Sequence, residues 1–130
     1  MQGQRAVVGW TLVRVIFGLS LALAHGVPKV LSGAKGLMED VAALGFPFPP
    51  FFAWCATLTE LVGGLLIASG LFARPAACFA SFTMLVALYQ HRADPFSKME
   101  KAVLFLAVCA AVAIAGAGPW SLDAKLRRSP

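Results

Sequence analysis

Two long apolar runs each carry a charge near the middle, and that pairing constrains this chain more than any other feature. The first run covers residues 6–26 and contains Arg14; the second covers residues 51–72 and contains Glu60. Each is about the 20 residues that a helix needs to cross a bilayer. A charge at membrane depth costs several kcal/mol on most scales, so it turns away from lipid. Opposite charges in the middle of two helices offset that cost by pairing inside a bundle. The sequence therefore predicts an intramembrane Arg14–Glu60 pair.

Composition supports the membrane reading. Hydrophobic residues make up 59% of the chain and charged residues only 13%, where soluble domains carry about 25% charged residues. Such a chain has too little polar surface to cover a globule in water. A signal peptide is the competing reading of the N-terminus, with Arg5 before an apolar stretch and Ala22-Leu23-Ala24 as a small-residue site. Arg14 interrupts that stretch, and the run is longer than a signal core, so the segment is read as the first span.

Four spans are predicted over residues 7–26, 51–72, 75–90 and 101–117, in one membrane domain covering residues 1–130. Leu37, Met38, Val41 and Leu44 recur at helical spacing between the first two spans. They predict a short amphipathic helix at the interface. The following Phe-Pro-Phe-Pro-Pro-Phe-Phe, residues 46–52, reads as an interfacial anchor, or alternatively as a lid over the bundle mouth. The fold class expected is all-α, a four-helix transmembrane bundle with that interfacial helix. Small residues four apart, Gly18-Ala22-Gly26, Gly64-Ala68 and Ala107-Ala111-Ala115, predict close helix packing.

The net charge of +5 comes from scattered basic residues that suit anionic headgroups rather than nucleic acid. Cys55, Cys78 and Cys109 lie in separate segments with no CxxC and read as structural. The two histidines are too far apart in sequence to make a metal site. The chain has no phosphate loop, nucleophile elbow or haem motif, so it offers no self-contained catalytic or redox motif and leaves open whether it is an enzyme. Basic residues flanking the spans balance on the two sides. The basic tail Lys125, Arg127, Arg128 tips both termini toward the cytoplasm.

Candidate ligand-binding or proton-relay residues are Arg14, His25, Lys29, Glu60, Tyr89 and His91. Regular helical geometry places His25 almost three turns beyond Arg14 on nearly the same face, about 16 Å along the axis. Lys29 follows, and Glu60 faces the stripe. Thr57 adds a hydroxyl to the Glu60 face. Such a stripe can hold the head group of a quinone, form part of an anion or proton path, or lock the bundle.

At these residues the chain resembles the DoxX family of small four-helix membrane proteins. The likeness rests on Arg14 with Gly18, on His25-Gly26-Val27-Pro28-Lys29, and on Leu44-Gly45-Phe46-Pro47. It continues through Glu60-Leu61-Val62-Gly63-Gly64, Gly70-Leu71-Phe72-Ala73-Arg74 and Gly118-Pro119-Trp120-Ser121-Leu122-Asp123. The resemblance implies a four-span bundle in the bacterial cytoplasmic membrane. It also implies work beside quinone-linked sulfur chemistry or an oxidoreductase complex with superoxide dismutase and a sulfurtransferase. With a short tail and no second soluble domain, redox work is expected to need a soluble oxidoreductase partner. No cofactor is expected to be built in, although quinone is a candidate ligand, and a homo-oligomer is compatible with the sequence. Three functional readings follow: a redox subunit contacting quinone, a non-catalytic membrane scaffold, and a small carrier for an anion or sulfur species.

Overall fold

The computed structural model describes residues 2–128 and is all-helical, with no strand among the described residues. Four long helices and two short ones follow one another. We label them α1 (residues 2–31), α2 (Lys35–Ala43), α3 (Pro49–Ser69), α4 (Ala73–Gln90), α5 (Phe96–Ala115) and α6 (Leu122–Arg128). Of these, α1 and α3 are long and apolar enough to cross a membrane. Only about a third of each is buried within the chain. Leu12, Ile16, Leu23, Leu58, Val62 and Leu65 lie on their outer faces, an apolar surface that suits lipid.

Backbone chemistry sets the helix ends. Pro49 and Pro50 open α3, where a missing N–H costs nothing. Gly70 closes it at φ 75°, donating to the Leu66 carbonyl, as does Leu71. That is the left-handed stop which glycine makes without strain. The interfacial helix predicted from Leu37, Met38, Val41 and Leu44 is α2. It packs through Val41 on Ala53 of α3, with Phe46, Phe52 and Trp54 around it.

The antiparallel helices α1 and α3 meet backbone to backbone. A Cβ on Gly18 would lie 2.5 Å from the Ala68 nitrogen and from the Gly64 carbonyl. One on Gly26 would lie 2.6 Å from the Leu61 Cα. Both helices widen into π turns where they face each other, at Leu21–Gly26 and Thr59–Gly63. A π turn takes in one additional residue. Everything beyond it is rotated by about 100° from the face that a regular helix would give it.

The second half of the bundle is α4 packed along α5. Ala73, Ala76, Ala77 and Ala80 of α4 are buried with Phe17, Leu21, Ile67, Cys109 and Val112. The predicted small-residue ridge of α5 is not its packing face: Ala107 and Ala115 are exposed, and Cys109 and Val112 face the core instead.

The glycine contact is testable. Gly18→Ala is expected to lower the melting temperature in detergent, by the equivalent of about 1–3 kcal/mol for an overpacked contact. Gly9→Ala, whose Cβ meets nothing within 4 Å, is expected to leave it unchanged or raise it slightly. Equal effects at the two positions would contradict the close α1–α3 approach.

Candidate functional site

The predicted Arg14–Glu60 pair does not form. Glu60 pairs with Lys29, whose Nζ donates to Oε1 at 2.9 Å and Oε2 at 2.7 Å. The carboxylate is nearly buried, its side chain 5% exposed, while the Lys29 side chain is 33% exposed. The register explains the exchange. With Gly18 docked on Gly64 and the two helices antiparallel, Glu60 lies level with the far end of α1, beyond Gly26, rather than with Arg14.

Arg14 instead sits at the other end of α3. Its Nη1 donates to the Ile67 and Ala68 carbonyls, the former at 2.8 Å, and its Nη2 to the Trp120 carbonyl at 2.8 Å. A cation there meets carbonyls of the last helical turn and the negative end of the helix dipole. Arg14 is 1% exposed, with its Nε unpartnered. The C-terminal segment folds back to complete this cluster. Trp10 donates to the Gly116 carbonyl at 3.1 Å. The Asp123 carboxylate accepts from the Phe72 and Ala73 amides at 2.8 and 3.1 Å, capping the start of α4. Arg14 and Asp123 thus tie three segments together at one end of the bundle.

At the opposite end a cavity of about 620 Å³ lies under α2. Lys29, Glu60, Thr59, Thr83, Gln90, His91 and Asp40 provide its polar groups. Leu37, Val41, Leu44, Phe46, Phe52, Phe79 and Phe82 provide its apolar walls. The α2 helix, with Phe46 and Phe52 of the aromatic segment after it, thus forms one side of the cavity. His91 is half-buried, and its Nδ1 lies 2.6 Å from Oδ2 of Asp94.

Of the six sequence-derived candidates, the structure gathers Lys29, Glu60 and His91 at this cavity and leaves the other three elsewhere. His25, inside the π turn of α1, is rotated off the Arg14 face and stacks edge-on against Phe105 of α5, centroids 5.2 Å apart. Tyr89 is exposed, with the Arg92 guanidinium 4.1 Å over its ring. Thr57 is fully buried with an unpartnered hydroxyl and does not line the cavity. The residues that sequence reasoning missed are Asp40, Thr59, Thr83 and Gln90. Thr59 and Thr83 carry only a weak signal, since each is a hydroxyl in an apolar helix that holds another close by, Thr57 and Ser81.

The family model for DoxX matches residues 9–92. The chain belongs to the DoxX family. The matched region contains every residue lining the cavity and stops short of α5 and the C-terminal segment. Two curated relatives resemble this DoxX chain. One is CatD of Bacillus subtilis (strain 168), named as a proposed oxidoreductase, 31% identical over 62% of this chain and 58% of its own length. The other is YphA of Escherichia coli (strain K12), named as an inner membrane protein, 32% identical over 62% of this chain and 57% of its own. The alignments thus span under two thirds of either relative. No solved structure gives a significant match. Family and apolar outer surface together make this a transmembrane protein.

Two expected outcomes follow from the charge pairing. Lys29→Met leaves the Glu60 carboxylate buried without a counterion, which costs about 3–5 kcal/mol at full burial and less here because the pair is partly open. Glu60→Gln leaves a lysine that can reach toward water along its flexible stem and is expected to be milder. The double variant is expected to recover part of the loss in detergent melting. Arg14→Leu is expected to destabilise on its own and to add to Glu60→Gln within about 0.5 kcal/mol, as separate sites do. Coupling of Arg14 to Glu60, with none between Lys29 and Glu60, would overturn the assignment.

Proposed function

We propose that this DoxX chain is a subunit of a redox-linked system in the bacterial inner membrane, and that its cavity holds the ring of a quinone. All four long helices cross the bilayer in this reading. The basic residues of α6 keep both termini cytoplasmic, so the cavity mouth lies toward the other side. Electrons come from a soluble partner.

The observation that carries the proposal is an apolar cavity with a charged pair in its wall. Ligand sites are typically of about 300–1,000 Å³, mostly apolar, with a few placed polar groups; this one is about 620 Å³. A quinone presents the matching chemistry, an apolar ring with two carbonyl acceptors. Lys29 can donate to one carbonyl while still facing Glu60. His91, whose Nδ1 lies 2.6 Å from Oδ2 of Asp94, stands at the mouth. The names of the two relatives, one a proposed oxidoreductase and one an inner membrane protein, agree with this reading.

The scaffold reading has its own support in Arg14, whose three carbonyl partners lock the far end of the bundle. The two readings apply to opposite ends of the protein and are separable. Titration of the purified chain with a short-tailed ubiquinone or menaquinone analogue is expected to show saturable binding. Binding is expected to weaken in Lys29→Met and Glu60→Gln and to persist in His25→Ala, since His25 lies off the cavity. No saturable binding to the wild type would leave the scaffold reading alone.

A further inference from the structure

Phe79 and Phe82 line the cavity, yet they are among the most exposed large side chains of the molecule, at 68% and 61%. Each ring therefore has one face on the cavity and one on the outer surface of α4. Across from them, Cys55 of α3 also lines the cavity and is exposed. The wall between α3 and α4 is thus incomplete at membrane depth. On the outside, the same two phenylalanines lie beside Cys78 on the exposed surface of α4.

We propose that this gap is a lateral portal, and that the cavity takes an amphiphile with a single apolar tail, whose head lies by Lys29 and Glu60 and whose tail leaves between Phe79 and Phe82 past Cys78. The inference rests on the quinone reading and specifies the ligand class, a prenyl- or alkyl-tailed ring compound arriving from the bilayer rather than from water.

Three features of the geometry argue for it. Depth matches across the α3–α4 seam: Gly63 lies against the Ala76 carbonyl, so in these antiparallel helices Glu60 is level with Phe79. A head at the Lys29–Glu60 pair therefore faces the gap directly, and its tail leaves at the same depth. The route is short, because Phe79 and Phe82 both line the cavity and are exposed on the outer surface of α4. The upper entrance is covered by α2, whose Val41 is buried against Ala53, so the side is the less obstructed way in.

Affinity is a poor measure of this arrangement. A tail already dissolved in lipid gains no hydrophobic burial on entering an apolar groove. Position is the better readout. The full chain in lipid nanodiscs would be irradiated with a ubiquinone analogue carrying a diazirine at the end of a decyl tail, and the labelled residues mapped by mass spectrometry. Labelling at residues 78–82 is expected, reduced several-fold by excess unlabelled decylubiquinone and reduced likewise in Glu60→Gln. Competable labelling confined to the outer faces of α1 or α5 would overturn the portal while leaving a quinone site in place. Uniform labelling that excess quinone does not reduce would overturn both the portal and the quinone reading.

Discussion

The contact between Gly18 of α1 and Gly64 and Ala68 of α3 sets what every polar group in this protein can reach. In lipid, helices gain nothing from hiding apolar surface from one another, so close van der Waals packing supplies the attraction. Here the glycines let two backbones touch. Once that register is fixed, the ends of the two helices are matched: Arg14 falls on the last carbonyls of α3, and Lys29 falls on Glu60. The single contact distributes the buried charges to opposite ends of the bundle.

The two ends solve the cost of intramembrane charge in different ways. Among the described residues Arg14 has no carboxylate within hydrogen-bond reach; it is held by carbonyls at the end of α3, of which that of Ile67 also accepts the Gly70 amide. Its planar guanidinium spans α3 and the C-terminal segment at once, which a lysine ammonium does less readily. Glu60 takes a discrete counterion that remains partly open to the cavity. The first arrangement is closed and fits a structural fastening. The second leaves donor capacity facing an empty apolar space, which is what a ligand with a polar ring requires.

Much of the fold was legible in the sequence because lipid imposes simple rules. The long apolar runs, the prolines at residues 49 and 50, and the spacing of Leu37, Met38 and Val41 each specify structure locally, and α1, α3 and α2 follow from them. The α4 and α5 helices begin near the predicted positions, although α5 starts at Phe96 rather than near Lys101. The candidate site was legible only in part. Lys29, Glu60 and His91 were identified as individual residues, but the Arg14–His25–Glu60 stripe assumed an unbroken 3.6-residue period. The π turns at Leu21–Gly26 and Thr59–Gly63 break that period, turning His25 to Phe105 while Arg14 and Lys29 both meet α3. Such turns have no strong local signature. The small-residue ridges held the missing information: docking Gly18 on Gly64 before pairing charges would have assigned Glu60 to Lys29.

Which cation meets Glu60 is the most direct question that can be put to this account. Solid-state NMR of the protein in lipid answers it through dipolar dephasing between ¹⁵N-labelled side chains and the ¹³C-labelled glutamate carboxyl. With labelled lysine, strong Nζ–Cδ dephasing is expected, and it should vanish in Lys29→Met. With labelled arginine, the Glu60 carboxyl should show none. A short guanidinium–carboxylate distance at Glu60, with no lysine contact, would contradict the register on which the cavity, its charged pair and the fastening at Arg14 all depend.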